Sequence, residues 1–294
     1  MTHLPRLKPD PIPALHPVPE VLATGRLKEI YEETKAAFGV PWMGVVAMAF
    51  AHYPSFYGEL WAHLGPVAKS AAFADACRQL RQQAEAAVRA LDPADITPEL
   101  QDAGYHDADL RAIDQVVEVF SEGNMPYLLM ATLARASLED AFTATPGKII
   151  PADAPPTRPI WPAGQPLTLI EEHHQTAEGK ALYGRIRSTL GLPFVNTDYR
   201  ALARWPGYFD LAWTRLEPKV PDRRYADIVT SVHDHAIALI GSLPGLGGLT
   251  TDRLRTAAER DASTDEVLAV VRLFQWLLPG LVTNVAFFRA ELGR

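Results

Sequence analysis

One cysteine in 294 residues, Cys77, excludes a disulfide framework or a cysteine-rich metal site within the chain. Its apolar neighbours in a helical stretch read as the surroundings of a packed thiol rather than of a nucleophile. Positive charge is scarce: 28 Lys and Arg stand against 35 Asp and Glu, a formal net charge of −7. A phosphate backbone needs clustered cations, so no nucleic-acid partner is expected. A small anionic substrate remains allowed, because it answers to local donors rather than to net charge. No apolar run is expected to cross a bilayer, since the best candidate, residues 268–288, is interrupted by Arg272 and Pro279. The first residues carry no apolar leader, which predicts a cytoplasmic protein without membrane partners. Motif chemistry is thin as well. There is no Gly-x-Ser-x-Gly elbow. Gly245-Leu246-Gly247-Gly248 follows a helical stretch, where a phosphate cradle would follow a strand. His233 and His235 do not share a helix face, and His173-His174 lack a metal-ligand spacing. Neither a metal nor a cofactor is expected.

What the chain does have is helical pattern and proline. Phe73, Cys77, Leu80, Ala84, Val88 and Leu91 recur at steps of three and four, as do Leu110, Ile113, Val116, Val117 and Phe120. Thr97-Pro98 and Ser263 with Glu266 read as helix starts. Sustained period-two alternation is missing, so the fold class is all-α. Prolines 5, 9, 11, 13, 17 and 19 crowd one segment, and prolines 146, 151, 155, 156, 159, 162 and 166 another. Such density favours extended, semi-rigid chain.

An internal repeat organises the rest. Gly39-Val40-Pro41-Trp42 recurs as Gly191-Leu192-Pro193-Phe194, an offset of 191 − 39 = 152. The same offset pairs Tyr31 with Tyr183, Pro54 with Pro206, Trp61 with Trp213 and Pro66 with Pro218. The expected plan is a proline-rich arm (1–24), a first helical repeat (25–138), a proline-rich linker (139–168) and a second helical repeat (169–294), the two repeats packing pseudo-symmetrically around a site.

Positions that differ in kind between copies are where one half can acquire chemistry. Asp198, at the start of a predicted helix after Asn196 and Thr197, faces the apolar Val46. Conversely, Asn124 in a Gly-Asn-x-Pro setting faces Leu278 at an offset of 154. Each has a plain alternative: Asp198 as a helix-capping acid, Asn124 as a turn or helix end.

At these residues the sequence resembles the group I, DL-type 2-haloacid dehalogenases. The resemblance rests on Val40-Pro41-Trp42, on Gly123-Asn124-x-Pro126-Tyr127-Leu128-Leu129, and on Thr197-Asp198-x-x-Ala201-Leu202-Ala203-x-Trp205-Pro206. It implies an all-α fold of two repeats with the active site between them, hydrolysing both enantiomers of short 2-haloacids without a cofactor. By the same resemblance Asp198 activates water, Asn124 is the essential asparagine, and Trp42 walls the pocket. Thr197 stands where a serine is usual, and Val45 where a larger apolar residue occurs. A late-helix tyrosine has no counterpart; Gln275 or Trp276 lies near its place. A homodimer is implied too.

The residue types suit that chemistry. An aspartate raised above its ordinary range by burial acts as a general base. A carboxamide orients water or the aspartate, and an indole N–H suits a departing halide. The backbone N–H groups near Asp198 would receive the substrate carboxylate. Attack by Asp198 itself, through an ester, stays open on composition alone. So do two other readings: a non-catalytic helical repeat protein that binds a carboxylate or a partner, and a hydrolase of another leaving group.

Overall fold

A computed structural model describes residues 4–145, 147–150 and 167–294. The prolines of the second arm, and with them much of the expected linker, lie outside the described residues. The fold is all-α. The chain runs through α1 (Gly25–Phe38), α2 (Val45–Phe50), α3 (Pro54–Ala68), α4 (Ala71–Ala87), α5 (Thr97–Asp102) and the long α6 (Asp107–Leu138). It then forms α7 (Ala177–Leu190), α8 (Thr197–Leu202), α9 (Pro206–Leu216), α10 (Arg223–Ser242), α11 (Thr251–Glu259) and α12 (Thr264–Glu291).

The offset of 152 recurs in the element starts: 177 − 25, 197 − 45 and 206 − 54 all equal 152. Helices α1 and α7 both stop at a glycine in the left-handed region, Gly39 at φ 66° and Gly191 at φ 63°. A residue with a Cβ is strained there, so glycine ends each helix and launches the following Pro-aromatic turn. Tyr31 donates to the Val18 carbonyl at 2.8 Å and Tyr183 to the Ile170 carbonyl at 2.7 Å, partners again 170 − 18 = 152 apart.

Helices α6 and α12 make the most extensive helix pair and form the centre, with α10 and α4 laid against them. Two sequence expectations fail here, both at prolines. Asn124 does not end a helix: α6 continues through Pro126 to Leu138. Residues 268–288 are not interrupted either, since α12 continues through Pro279 to Glu291. An interior proline removes one backbone hydrogen bond and costs about 3 kcal/mol. Both helices are buried along most of their length around these prolines, and burying large apolar side chains at roughly 1.5–3 kcal/mol each outweighs that cost. By length and composition α12 would cross a membrane, but 78% of its apolar stretch is covered by the rest of the protein. At its start Ser263 accepts from the Glu266 N–H at 3.2 Å; the Glu266 carboxylate completes no capping box and instead receives the Tyr53 hydroxyl at 3.0 Å.

The N-terminal arm is stapled to the two central helices and to α10. His233, 1% exposed, binds the Leu4 carbonyl through Nε2 at 2.7 Å, and its Nδ1 lies 2.7 Å from Gln275 Nε2. A carbonyl only accepts, so Nε2 carries the proton and Nδ1 receives the amide. Burial, with Arg135 and Arg6 nearby, lowers the His233 pKa and keeps the ring neutral. Arg135 donates to the Pro5 carbonyl at 2.9 Å and to Gln275 Oε1 at 2.6 Å. Further along, Val18 N–H reaches the Met48 carbonyl at 2.9 Å.

Near the end of α12, the Glu291 carboxyl is fully buried and neither oxygen has a hydrogen-bond partner. Burial pushes its pKa up to about 9, against the attraction of Arg215 and Lys219. The folded value lies above the ordinary one of 4.5. The stability associated with this group is therefore fully present below about pH 4.5 and falls as pH rises, levelling off above about 9. Glu291→Gln should remove that slope and raise stability at pH 8 by ~1–3 kcal/mol. Urea midpoints of both proteins at pH 5 and pH 8 check this; an equal midpoint difference at the two pH values would contradict it.

Candidate active site

The site is assembled from two turn–helix units and one long helix. After Gly39, the turn Val40–Gly44 is fixed by Tyr127 of α6, whose hydroxyl receives Gly44 N–H at 2.7 Å and donates to the Trp42 carbonyl at 3.1 Å. A Cβ on Gly44 would lie 2.7 Å from the Tyr127 ring, so only glycine permits this approach. The turn delivers Trp42, whose ring meets Phe120 edge-on at 4.9 Å. Its indole N–H has no acceptor among the described residues. After Gly191, the equivalent turn leads into α8. Asn196 is the N-cap but makes no side-chain capping bond, and Asp198 is the second helical residue.

Asp198 is 3% exposed and Asn124 5%. They meet directly: Asn124 Nδ2 donates to Asp198 Oδ1 at 2.7 Å. Burial raises the Asp198 pKa to about 6; the Asn124 bond, its own backbone N–H and the charge of Arg200 pull the other way without prevailing. The aspartate is thus a far better base than a solvated one, yet is ionised at neutral pH. Asp198 stands in the first turn of its helix and takes its own backbone N–H, as a helix-end acid does, and it is also buried against a carboxamide from another helix, 198 − 124 = 74 residues away.

Both groups open into one cavity of about 720 Å³. All five residues singled out in the sequence, Trp42, Val45, Asn124, Thr197 and Asp198, line it. So do Val46 and Leu278, the apolar partners of Asp198 and Asn124 at offsets of 152 and 154. Thr197 Oγ1 receives Arg200 Nη2 at 3.3 Å. Gln275 and Trp276, near the place of the absent tyrosine, do not line this cavity; from α12 it is Phe274, Leu277, Leu278 and Leu281 that do. Cys77 is half-buried on α4 and is not part of the lining. Among the described residues, no three His, Cys, Asp or Glu side chains come together as a metal-ligand set.

Sequence reasoning missed three parts of the wall. Ile12, Pro13, Leu15 and Pro17 of the arm close one side; the alternation of proline with large apolar residues was the available signal. Arg200 stands two residues after Asp198 inside a motif already quoted. Its Nη1 pairs with Glu171 at 2.6 Å, while its Nε is buried without a partner. Asn196 likewise holds a buried side-chain oxygen with no donor.

The fold and the site together define an all-α chain with a buried carboxylate–carboxamide pair facing a largely apolar cavity. The comparisons place it further. Residues 41–191 match the family described as halocarboxylic acid dehydrogenase DehI. An (R)-2-haloacid dehalogenase of Rhizobium sp. (strain NHG3) is 41% identical over 261 residues, 88% of this chain and 100% of the relative. A solved complex of a D-2-haloacid dehalogenase mutant with D-2-CPA superposes with a TM-score of 0.86 at 34% identity, over 95% of this chain and 96% of the other. A complex of a D-2-haloacid dehalogenase with L-LA gives 0.88 at 34% identity, over 98% and 99%. The chain belongs to this 2-haloacid dehalogenase family.

Proposed function

We propose that the protein hydrolyses short 2-haloalkanoic acids to 2-hydroxy acids, a water activated by Asp198 attacking the halogen-bearing carbon directly, with inversion. The observation that carries the reading is the buried 2.7 Å contact of Asn124 with Asp198 on the cavity wall. Asp198 removes the proton of the water as it attacks. Asn124 holds one carboxylate oxygen and leaves the other free to receive that proton. The Trp42 indole N–H meets the departing halide, and Phe274 and Leu278 keep bulk water from the carbon. The substrate carboxylate docks on Arg200, whose guanidinium lies on the same wall with Nε unpartnered. Direct attack is favoured over an ester by the resemblance to the group I family; the Asn124 bond to one carboxylate oxygen is compatible with either route.

On stereochemistry the resemblance to the DL-type group implies both enantiomers, whereas the Rhizobium relative is named for the (R) form. D- and L-designated ligands occur in the two solved neighbours. We assign (R) as the preferred substrate. The same reading includes two diverged repeats, a homodimer and a cytoplasmic location.

Halide release from (R)- and (S)-2-chloropropionate tests this. Release from (R), at least tenfold faster than from (S), is the expected outcome. Comparable rates would restore the DL reading, and no release from either would leave a non-catalytic carboxylate-binding protein. Single turnover in ¹⁸O-water should place the label in the lactate; label first in the protein would establish the ester route.

The pH profile gives a second check. The base must be ionised, so kcat/KM should fall below about pH 6. Asn124 holds the Asp198 pKa down, so Asn124→Ala should move that acid limb to higher pH, besides slowing the reaction by ~10²-fold. A slowed variant with an unmoved limb would show that Asn124 does not act on the protonation of Asp198.

A further inference from the structure

Beside the active-site cavity lies a second one of about 230 Å³. Its lining includes Arg6, Asn196, Tyr199, Tyr225, Trp276 and Asn284. The two cavities share Asn196, Leu277 and Leu281 as a common partition. The mechanism uses none of the polar groups of the smaller one.

Their bonding is uneven. Tyr225 donates to Asn284 Oδ1 at 2.7 Å, and Asn284 Nδ2 donates to the Tyr199 hydroxyl oxygen at 2.8 Å. Both ends of the Asn284 amide are thereby occupied, and the Tyr199 O–H is left as a donor with no acceptor among the described residues. Tyr199 is fully buried. Arg6 places Nε on the Trp276 carbonyl at 2.9 Å and its guanidinium 5.2 Å from the centroid of that indole. No carboxylate among the described residues pairs with it, in a chain carrying 35 of them. Burial disfavours its charge, yet an arginine stays protonated. Arg6 is half-buried; its Nε is taken by the Trp276 carbonyl, and no protein acceptor among the described residues meets its two Nη groups, which leaves them to whatever fills the cavity. Among the side chains of the described residues that line it, the Asn196 oxygen is a buried acceptor without a donor, on the partition.

Two forked N–H donors, a free tyrosyl O–H and one acceptor describe a specific ligand. A planar carboxylate fits the guanidinium fork. A hydroxyl on the adjacent carbon supplies the donor that the Asn196 oxygen lacks. A halide matches the cation but not the acceptor. We infer that this cavity is a second binding site, for a short 2-hydroxy carboxylate, with Arg6 and Tyr199 holding the carboxylate and Asn196 receiving the hydroxyl. It rests on the proposed reaction only for the source of that ligand, which is the product leaving through the partition.

Binding is measured without turnover, so it stands or falls separately from the activity. Calorimetry and crystal soaks with lactate, propionate and bromide are compared. Lactate should fill two sites per chain, one on Arg6. Propionate should bind the Arg6 site at least tenfold more weakly, and bromide should give no anomalous peak there. Arg6→Gln should lose that site alone, and Arg6→Lys, which keeps the charge without the fork, should weaken it. Lactate confined to the Asp198 cavity, equal affinity for propionate, or a bromide peak at Arg6 would overturn the assignment. Two intact sites in Arg6→Gln would do the same.

Discussion

Asp198→Asn should lose halide release by at least ~10³-fold while making the protein more stable. The loss follows from the mechanism: an amide cannot take the proton of the attacking water. The gain follows from what the wild type gives up to hold the base. Asp198 is buried, and its folded pKa of about 6 lies above the ordinary 3.8. An acid with a raised pKa contributes its full stability below about pH 3.8, loses it progressively up to about 6, and is constant beyond. The interval of 6 − 3.8 = 2.2 units corresponds to about 3 kcal/mol at 1.36 kcal/mol per unit. Asparagine keeps an oxygen for the Asn124 amide and never ionises, so it escapes this loss. Chemical denaturation should give the variant about 2–3 kcal/mol more stability at pH 8 and almost none at pH 4. Halide assays and denaturation curves on the same preparations decide it. Retention of a tenth of the activity, or a stability difference that does not vary with pH, would remove Asp198 from the role given to it.

Removing residues 2–17 should reduce kcat/KM by more than ~100-fold with most of the helix content retained. The arm supplies Ile12, Pro13, Leu15 and Pro17 to the wall around Asp198, so its loss opens the cavity to solvent. It also strips the Leu4 and Pro5 carbonyls from His233 and Arg135. Each donor left unsatisfied in a buried place costs roughly 1–3 kcal/mol. The truncated protein should therefore melt at lower temperature while its far-UV circular dichroism stays strongly helical. Adding residues 1–18 back as a peptide should recover part of the activity in a saturable manner. Full activity of the truncated chain would show that the arm is only a covering.

The sequence was legible where physical pattern is local. Helical periodicity located α4 and α6, and the recurring Gly-x-Pro-aromatic motif marked the two equivalent turns that follow α1 and α7. Asp198 and Asn124 stood out because each breaks a repeat whose other copy is apolar at that point. What local pattern could not show was decided by tertiary burial. Pro126 and Pro279 read as breaks, yet lie inside continuous helices, because the packing of α6 on α12 outweighs one lost backbone bond in each. The wall formed by residues 12–17 was invisible for a related reason. An extended proline-rich segment has no periodicity to reveal which face meets the core, and the groups that anchor its start, Trp276 for Arg6 and His233 for Leu4, come more than 200 residues later.

That last separation sets an order of events during synthesis. The arm is made well before the groups on α10 and α12 that hold its start. Until those helices have emerged, a nascent chain carries a strap held through Tyr31, Met48 and Arg135. Fragments ending before α12 lack one anchor and one side of the chamber, so the cavity around Asp198 closes only once α12 has been made.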